Sequence, residues 1–161
     1  MKFSKRLYKK PGDFFDDLRF VLSRPRLVHA VNKNKVISHD FMERLMLAVT
    51  SVNQCRYCSY FHTGQALKSG IDRDQITDLL AGEFADCPQE QLPALLYAQH
   101  WADTDGHPDA EVVQKLEETY GAEKAEVISL ILHMIRIGNM SGNALDYFRY
   151  RLSVNWRGLK Q

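Results

Sequence analysis

The sequence lacks an apolar run long enough to cross a bilayer. Its longest stretch free of Asp, Glu, Lys and Arg is Gln91–Ala102, 12 residues, where a membrane helix needs about 20. It also lacks an excess of charge of either sign. Lys plus Arg number 21 and Asp plus Glu 20, a net charge of +1, so bulk electrostatics draw it neither to nucleic acid nor to an anionic membrane. Cysteine is scarce and odd in number, three residues in 161, which argues against a secreted disulfide scaffold. There is no GxGxxG and no Walker-type loop, so no flavin, haem or nucleotide motif is present and no cofactor is expected. No period of 20 to 50 residues repeats. What is present is a globular composition, 45% apolar and 25% charged, at a length that suits one domain.

The apolar spacing reads as helices throughout, and no stretch alternates with a period of two for long enough to form a strand. Asp13 is a cap for a first helix to about Ser23, with Phe14, Leu18, Val21 and Leu22 on one face. Pro25 opens a short piece ending near Asn32-Lys33-Asn34. Ser38 to about Asn53 carries the broad stripe Phe41, Met42, Leu45, Met46, Val49 and Val52, apolar all round from Leu45 to Val49. Cys55 to Lys68 follows, stopped at Ser69-Gly70; then Asp72 to Ala81, closed by Gly82. Pro88 is the expected start of a helix to Thr104 with Leu92, Leu95, Leu96 and Trp101 inward. Asp109 or Pro108 starts another to Tyr120-Gly121, and Ala122 to about Leu152 is the last, with Gly138 and Gly142 expected to kink or divide it. The fold class is an all-α bundle.

Residues 1–12 form a basic N-terminal arm and 13–161 a single all-α domain. Lys2, Lys5, Arg6, Lys9 and Lys10 lead into Asp13, Asp16 and Asp17 with no apolar h-region between, so no secretory signal is expected and the location is read as cytoplasmic. The arm is expected to be mobile or solvated, without nucleic-acid or membrane partners. The nearly unbroken apolar stretch Val127–Ile137 contains His133, read as a core or subunit-interface histidine; His100 and His107 are read as surface residues.

The most specific feature is Asn53-Gln54-Cys55-Arg56-Tyr57-Cys58-Ser59-Tyr60-Phe61-His62. A helix that begins near Asn53 or Gln54 holds both thiols in its first turns, where unpaired N–H groups and the positive dipole end favour a thiolate. His62 lies four residues after Cys58, one turn along the same face, where it can take a proton from the thiol or stabilise the anion. Glu43, on the preceding apolar helix, needs a partner if buried, and His62 is the candidate. Together they make a relay of carboxylate, imidazole and thiol. Tyr57, Tyr60 and Phe61 read as packing or pocket-wall residues. Cys87, before Pro88, reads as filler.

Glu43, the Cys55-x-x-Cys58 pair and His62 on consecutive helices resemble the AhpD-like (alkylhydroperoxidase D) branch of the carboxymuconolactone decarboxylase superfamily. The likeness covers Phe41 to Gly70, with echoes in Leu95–Ala102 and in Gly138–Leu145, where Asn139 and Asn143 match a polar final helix. The resemblance implies a helical homo-oligomer that cycles its cysteine pair between dithiol and disulfide. It implies that Cys58 attacks a hydroperoxide, Cys55 resolves the product as a disulfide, Glu43 and His62 relay protons, and a thiol reductant restores the pair. Tyr57 stands where the best-studied members carry a further His, so the implied relay is one histidine shorter. The lactone-decarboxylating members generally lack the cysteine pair, which disfavours decarboxylation.

Two other readings stand beside this one. The pair can belong to a helical oligomer that responds to redox state without turnover, as a sensor or scaffold. It can also hold zinc, with His62 as third ligand and His39, Cys87 or Glu43 as fourth, although no second CxxC or HxxxH exists. A thioredoxin-like motif would follow a strand, and none is visible.

Overall fold

The computed structural model describes residues 3–33 and 35–158. Of the expected segments, Met1 and Lys2 of the arm, Asn34 at the end of the second helix and the last three residues of the domain lie outside it. Among the described residues there are eight helices and no strand: α1 (Pro11–Leu22), α2 (Pro25–Asn32), α3 (His39–Asn53), α4 (Arg56–Lys68), α5 (Arg73–Ala81), α6 (Leu92–Asp103), α7 (Ala110–Tyr120) and α8 (Ala122–Gly158). No helix is long and apolar enough to cross a membrane.

Helix α3 lies at the centre, packed against α4, α5, α6 and α8. That position explains its all-round apolar composition: Leu45, Leu47, Ala48 and Val49 are fully buried. Each leucine so enclosed contributes roughly 1.5–3 kcal/mol of burial. Val127, Ile128, Leu130, Ile131 and Leu132 of α8 are equally buried, so the longest apolar stretch forms core within the single chain.

Several sequence expectations are corrected. Helix α6 begins at Leu92, not Pro88, because a start at Pro88 would put Pro93 in the helix interior, where it lacks an N–H and crowds the carbonyl four residues back. The Pro88 carbonyl instead accepts the Gln91 and Leu92 amides in a preceding turn. Leu96 faces solvent, and Tyr97 takes the inward place. Leu22 of α1 is exposed, whereas Asp17 is the buried residue of that helix. Asp13 sits in the first turn of α1 and bonds back to the Lys10 amide at 3.3 Å.

The expected solvated arm is a docked strap. Its residues lie along α6 and α8, with the Arg6 guanidinium donating to the Ala102 carbonyl at 2.8 Å and to Asp103 at 2.9 Å. The Phe3 ring meets Tyr147 edge-on at 5.2 Å. Further along, the Tyr8 hydroxyl donates to Asp17 at 2.6 Å. Asp17 also receives His133 Nδ1 at 2.7 Å and Arg136 at 3.0 Å. Burial pushes the Asp17 carboxyl upward, but the hydrogen bonds from His133 and Tyr8 and the charge of Arg136 outweigh it and hold the group low. His133 is therefore a packing histidine, stacked on Phe20 at 4.0 Å and oriented by Asp17.

Candidate active site

The chain turns from α3 into α4 at Gln54, which adopts a left-handed conformation with φ 57°. A non-glycine residue held there stores strain. The result is that Cys55 becomes the N-cap of α4, and its sulfur accepts the Cys58 amide at 3.3 Å, as a serine or aspartate oxygen would. Both cysteines are free. Their sulfurs lie 2.7 Å apart and share one S–H···S hydrogen bond.

The two thiols are not equivalent. Cys55 is pulled down to about 6, chiefly by its hydrogen bond with Cys58 and against the opposing effect of burial. The amides of Cys58 and Tyr57 and the charge of Lys5 add to the pull. Cys58 is pushed up, because its proton is held by the bond to Cys55 and the site is partly buried; the Asn139 amide opposes this. Two N–H groups at the helix start, those of Cys58 and Tyr57, thus serve Cys55, and the Cys58 amide also favours its own thiolate. Access runs the other way: Cys55 is 0% exposed, whereas Cys58 is partly exposed.

Helix α8 supplies the wall behind the sulfurs. A Cβ at Gly142 would stand 2.7 Å from Cys55 Sγ, and one at Gly138 would stand 3.9 Å from Cys58 Sγ. The two glycines do not divide α8, which runs as one helix; Gly142 lets its backbone approach the pair. Between and beside them, Asn139 and Asn143 build a buried amide network. Asn53 Nδ2 donates to Asn139 Oδ1 at 3.1 Å, Asn139 Nδ2 donates to Thr50 Oγ1 at 3.1 Å, and Asn143 Nδ2 donates to the Asn53 carbonyl at 2.7 Å.

Glu43 and His62 meet as the sequence suggests. His62 Nδ1 lies 2.8 Å from Glu43 Oε2, and His39 Nε2 lies 3.4 Å from Oε1, so both oxygens of a carboxylate that is 2% exposed have partners. Among the described residues, no hydrogen bond joins His62 to either thiol. Tyr57 is half-buried beside the pair, its hydroxyl donating to Asp146 at 2.9 Å. Tyr60 and Phe61 stand 86% and 58% exposed, out in solvent instead of walling a pocket. Cys87 is buried, and burial pushes its thiol up, away from reactivity. The donors that zinc would need do not converge: among the described residues no three His, Cys, Asp or Glu side chains form a metal-sized group.

Residues 25–103 match the carboxymuconolactone decarboxylase family. The matched segment is just under half the chain and runs from α2 to α6, carrying Glu43, Cys55, Cys58 and His62. The matched segment does not include α8, which supplies Asn139, Gly142, Asn143 and Asp146. The family includes both decarboxylases and alkylhydroperoxidases. No curated protein and no solved structure matches the chain significantly.

The residues that sequence reasoning undervalued are Asn53, Gly142, Asp146 and Lys5. Gly142 and Asp146 had a signal. Gly138, Gly142 and Asp146 recur every four residues, and Asn139 and Asn143 do the same one residue on, a polar and small stripe that follows the apolar stretch of the helix.

Proposed function

We propose that the chain is a thiol–disulfide oxidoreductase of the AhpD-like kind, reducing hydroperoxides in a reducing, cytoplasmic compartment. The observation that carries the reading is the contact of two free sulfurs at 2.7 Å on the start of α4, one buried and acidic, the other accessible. The pair holds one proton near neutrality. At rest the negative charge favours Cys55, and moving the shared proton along the S–H···S bond exposes a Cys58 thiolate that substrate can reach.

In the proposed cycle the Cys58 thiolate attacks the terminal peroxide oxygen. The S–O bond forms as the O–O bond breaks, the alkoxide leaves and takes a proton to become an alcohol, and sulfur becomes a sulfenic acid. Cys55 thiolate then attacks that sulfur, hydroxide leaves as water after protonation, and the disulfide forms. An external dithiol reduces it by exchange, itself becoming a disulfide. His62, oriented by Glu43, relays the protons for the leaving groups. Asn139, beside Cys58, steadies that sulfur as an anion. Exposed Tyr60 and Phe61 on α4 with Leu145, Phe148 and Leu152 on α8 support assembly into a homo-oligomer, which light scattering on the purified protein tests.

Cys58→Ser is expected to abolish hydroperoxide-dependent disulfide formation, read by mass spectrometry of the Cys55–Cys58 peptide. Wild-type rates in that variant would refute the assignment. One observation favours a second reading, a redox sensor without turnover: His62 is bonded to Glu43 and to neither sulfur. Steady-state peroxide consumption with a dithiol present separates the two, since a sensor reacts once and stops.

A further inference from the structure

The N-terminal strap is tied to the cysteine turn at two independent places. In the first, a single amide clamps both: Asn143 Nδ2 donates to the Arg6 carbonyl at 2.9 Å and to the Asn53 carbonyl at 2.7 Å. Asn53 lies two residues before Cys55, and Asn143 follows Gly142, the point where α8 touches the Cys55 sulfur. In the second, Lys5 Nζ lies 2.6 Å from Asp146 Oδ2. The other oxygen of that carboxylate receives Tyr57 Oη at 2.9 Å and Arg56 at 2.6 Å. Both ties therefore end on residues flanking Cys55, one on each side.

We infer that the strap is a working part of the cysteine site, with Lys5 as a positioning residue that locks the 53–57 turn against α8 and adds a positive charge that favours the ionised pair. The inference rests on the thiol chemistry proposed above and extends it to a segment outside the matched family region.

Lys5 is suited to this by its place. Its side chain is 23% exposed and that of Asp146 9%, so its field is screened less than that of a surface lysine. Burial would raise the Asp146 carboxyl; the bonds from Lys5 and Tyr57 and the charges of Lys5 and Arg56 keep it ionised. The charged and titratable groups around Cys55 are Cys58, Tyr57 and Arg56 on α4, Asp146 on α8 and Lys5 on the strap. Helix α3 adds Glu43, already paired with His62. Without Lys5, Arg56 and Tyr57 still hold one oxygen of Asp146, but the other oxygen loses its cation. The Cys55 thiolate in turn loses the favourable charge of Lys5.

The test is the pH dependence of iodoacetamide alkylation of the Cys55–Cys58 peptide in full-length wild type, Lys5→Met and Lys5→Arg, with circular dichroism to establish folding. Lys5→Met is expected to move the midpoint up by about half a pH unit, and Lys5→Arg to leave it near the wild-type value. If Lys5→Met does not fold, Lys5→Gln, which keeps a polar head for Asp146, carries the same expectation. An unmoved midpoint in the methionine or glutamine variant would overturn the inference, as would an arginine variant shifted as far as methionine. The assay contains no peroxide. A shifted midpoint in a chain that consumes no hydroperoxide upholds the strap and removes the peroxidase reading, and turnover with an unmoved midpoint does the reverse.

Discussion

Helix α8 carries two buried polar clusters almost side by side, and they are built in opposite ways. Around His133 and Arg136 the centre is a carboxylate, Asp17, with each oxygen bonded to a donor. Around Gly138 to Asp146 the centre is a pair of thiols that share a proton. The strap reaches both, through Tyr8 to the first and through Lys5 and Arg6 to the second. A cluster whose charges are matched at fixed positions holds structure together, and moving a proton in it is costly. A cluster with one proton between two thiols can shift its charge along a hydrogen bond already made, which is what chemistry requires.

The comparison can be broken in order of size. Asp17→Ala should be the most damaging to stability, about 3–5 kcal/mol in urea unfolding, because it strands Arg136 without a counter-charge and His133 without its hydrogen-bond partner. Its thiol alkylation midpoint should stay put; a shifted midpoint would show that the clusters are one. Glu43→Gln should lower steady-state hydroperoxide turnover by about 100-fold, the scale of a lost proton relay, while leaving single-hit alkylation of the pair intact. Full turnover in that variant would remove Glu43 and His62 from the mechanism. Gly142→Ala should cost about 1–3 kcal/mol by overpacking against the Cys55 sulfur and slow disulfide formation. Unchanged stability and rate would mean that the close approach has no consequence.

The smallest effect sharpens the contrast most. The Cys55 thiol is depressed to about 6, so the reactive anion appears as pH rises through 6 and is lost as pH falls through it. Alkylation of the pair should therefore rise about tenfold between pH 5 and 7 and then level off. An ordinary thiol would keep accelerating to about pH 8.5, and that profile would sink the assignment of an acidic pair.

Much of this was legible in the residues. The Glu43–His62 pair followed from a carboxylate on an apolar helix that had to find a partner, and it did. Both thiols were expected in the first turns of a helix beginning near Asn53 or Gln54; α3 instead runs to Asn53 and α4 starts at Arg56, so the thiols stand at the helix start with Cys55 as its cap. The expectation of which sulfur would be the more acidic did not follow, because helical spacing says nothing about which sulfur caps the helix. Tyr60 and Phe61 were legible as aromatic, but their outward direction was not. Gly138 and Gly142 looked like breaks in a helix; their role as a contact surface needed α4 to be in view.

Periodicity and capping are local, reaching four residues along the chain, and so the sequence alone determined an all-α chain, the limits of most helices and the CxxC at a helix start. Tertiary structure decided what touches the sulfurs. Asn139, Gly142, Asp146 and Lys5 are 50 to 91 residues away from Cys55 along the chain. Only the packing of α3, α4 and α8 brings them within reach, and electrostatics, which act through space, then set which thiol gives up its proton.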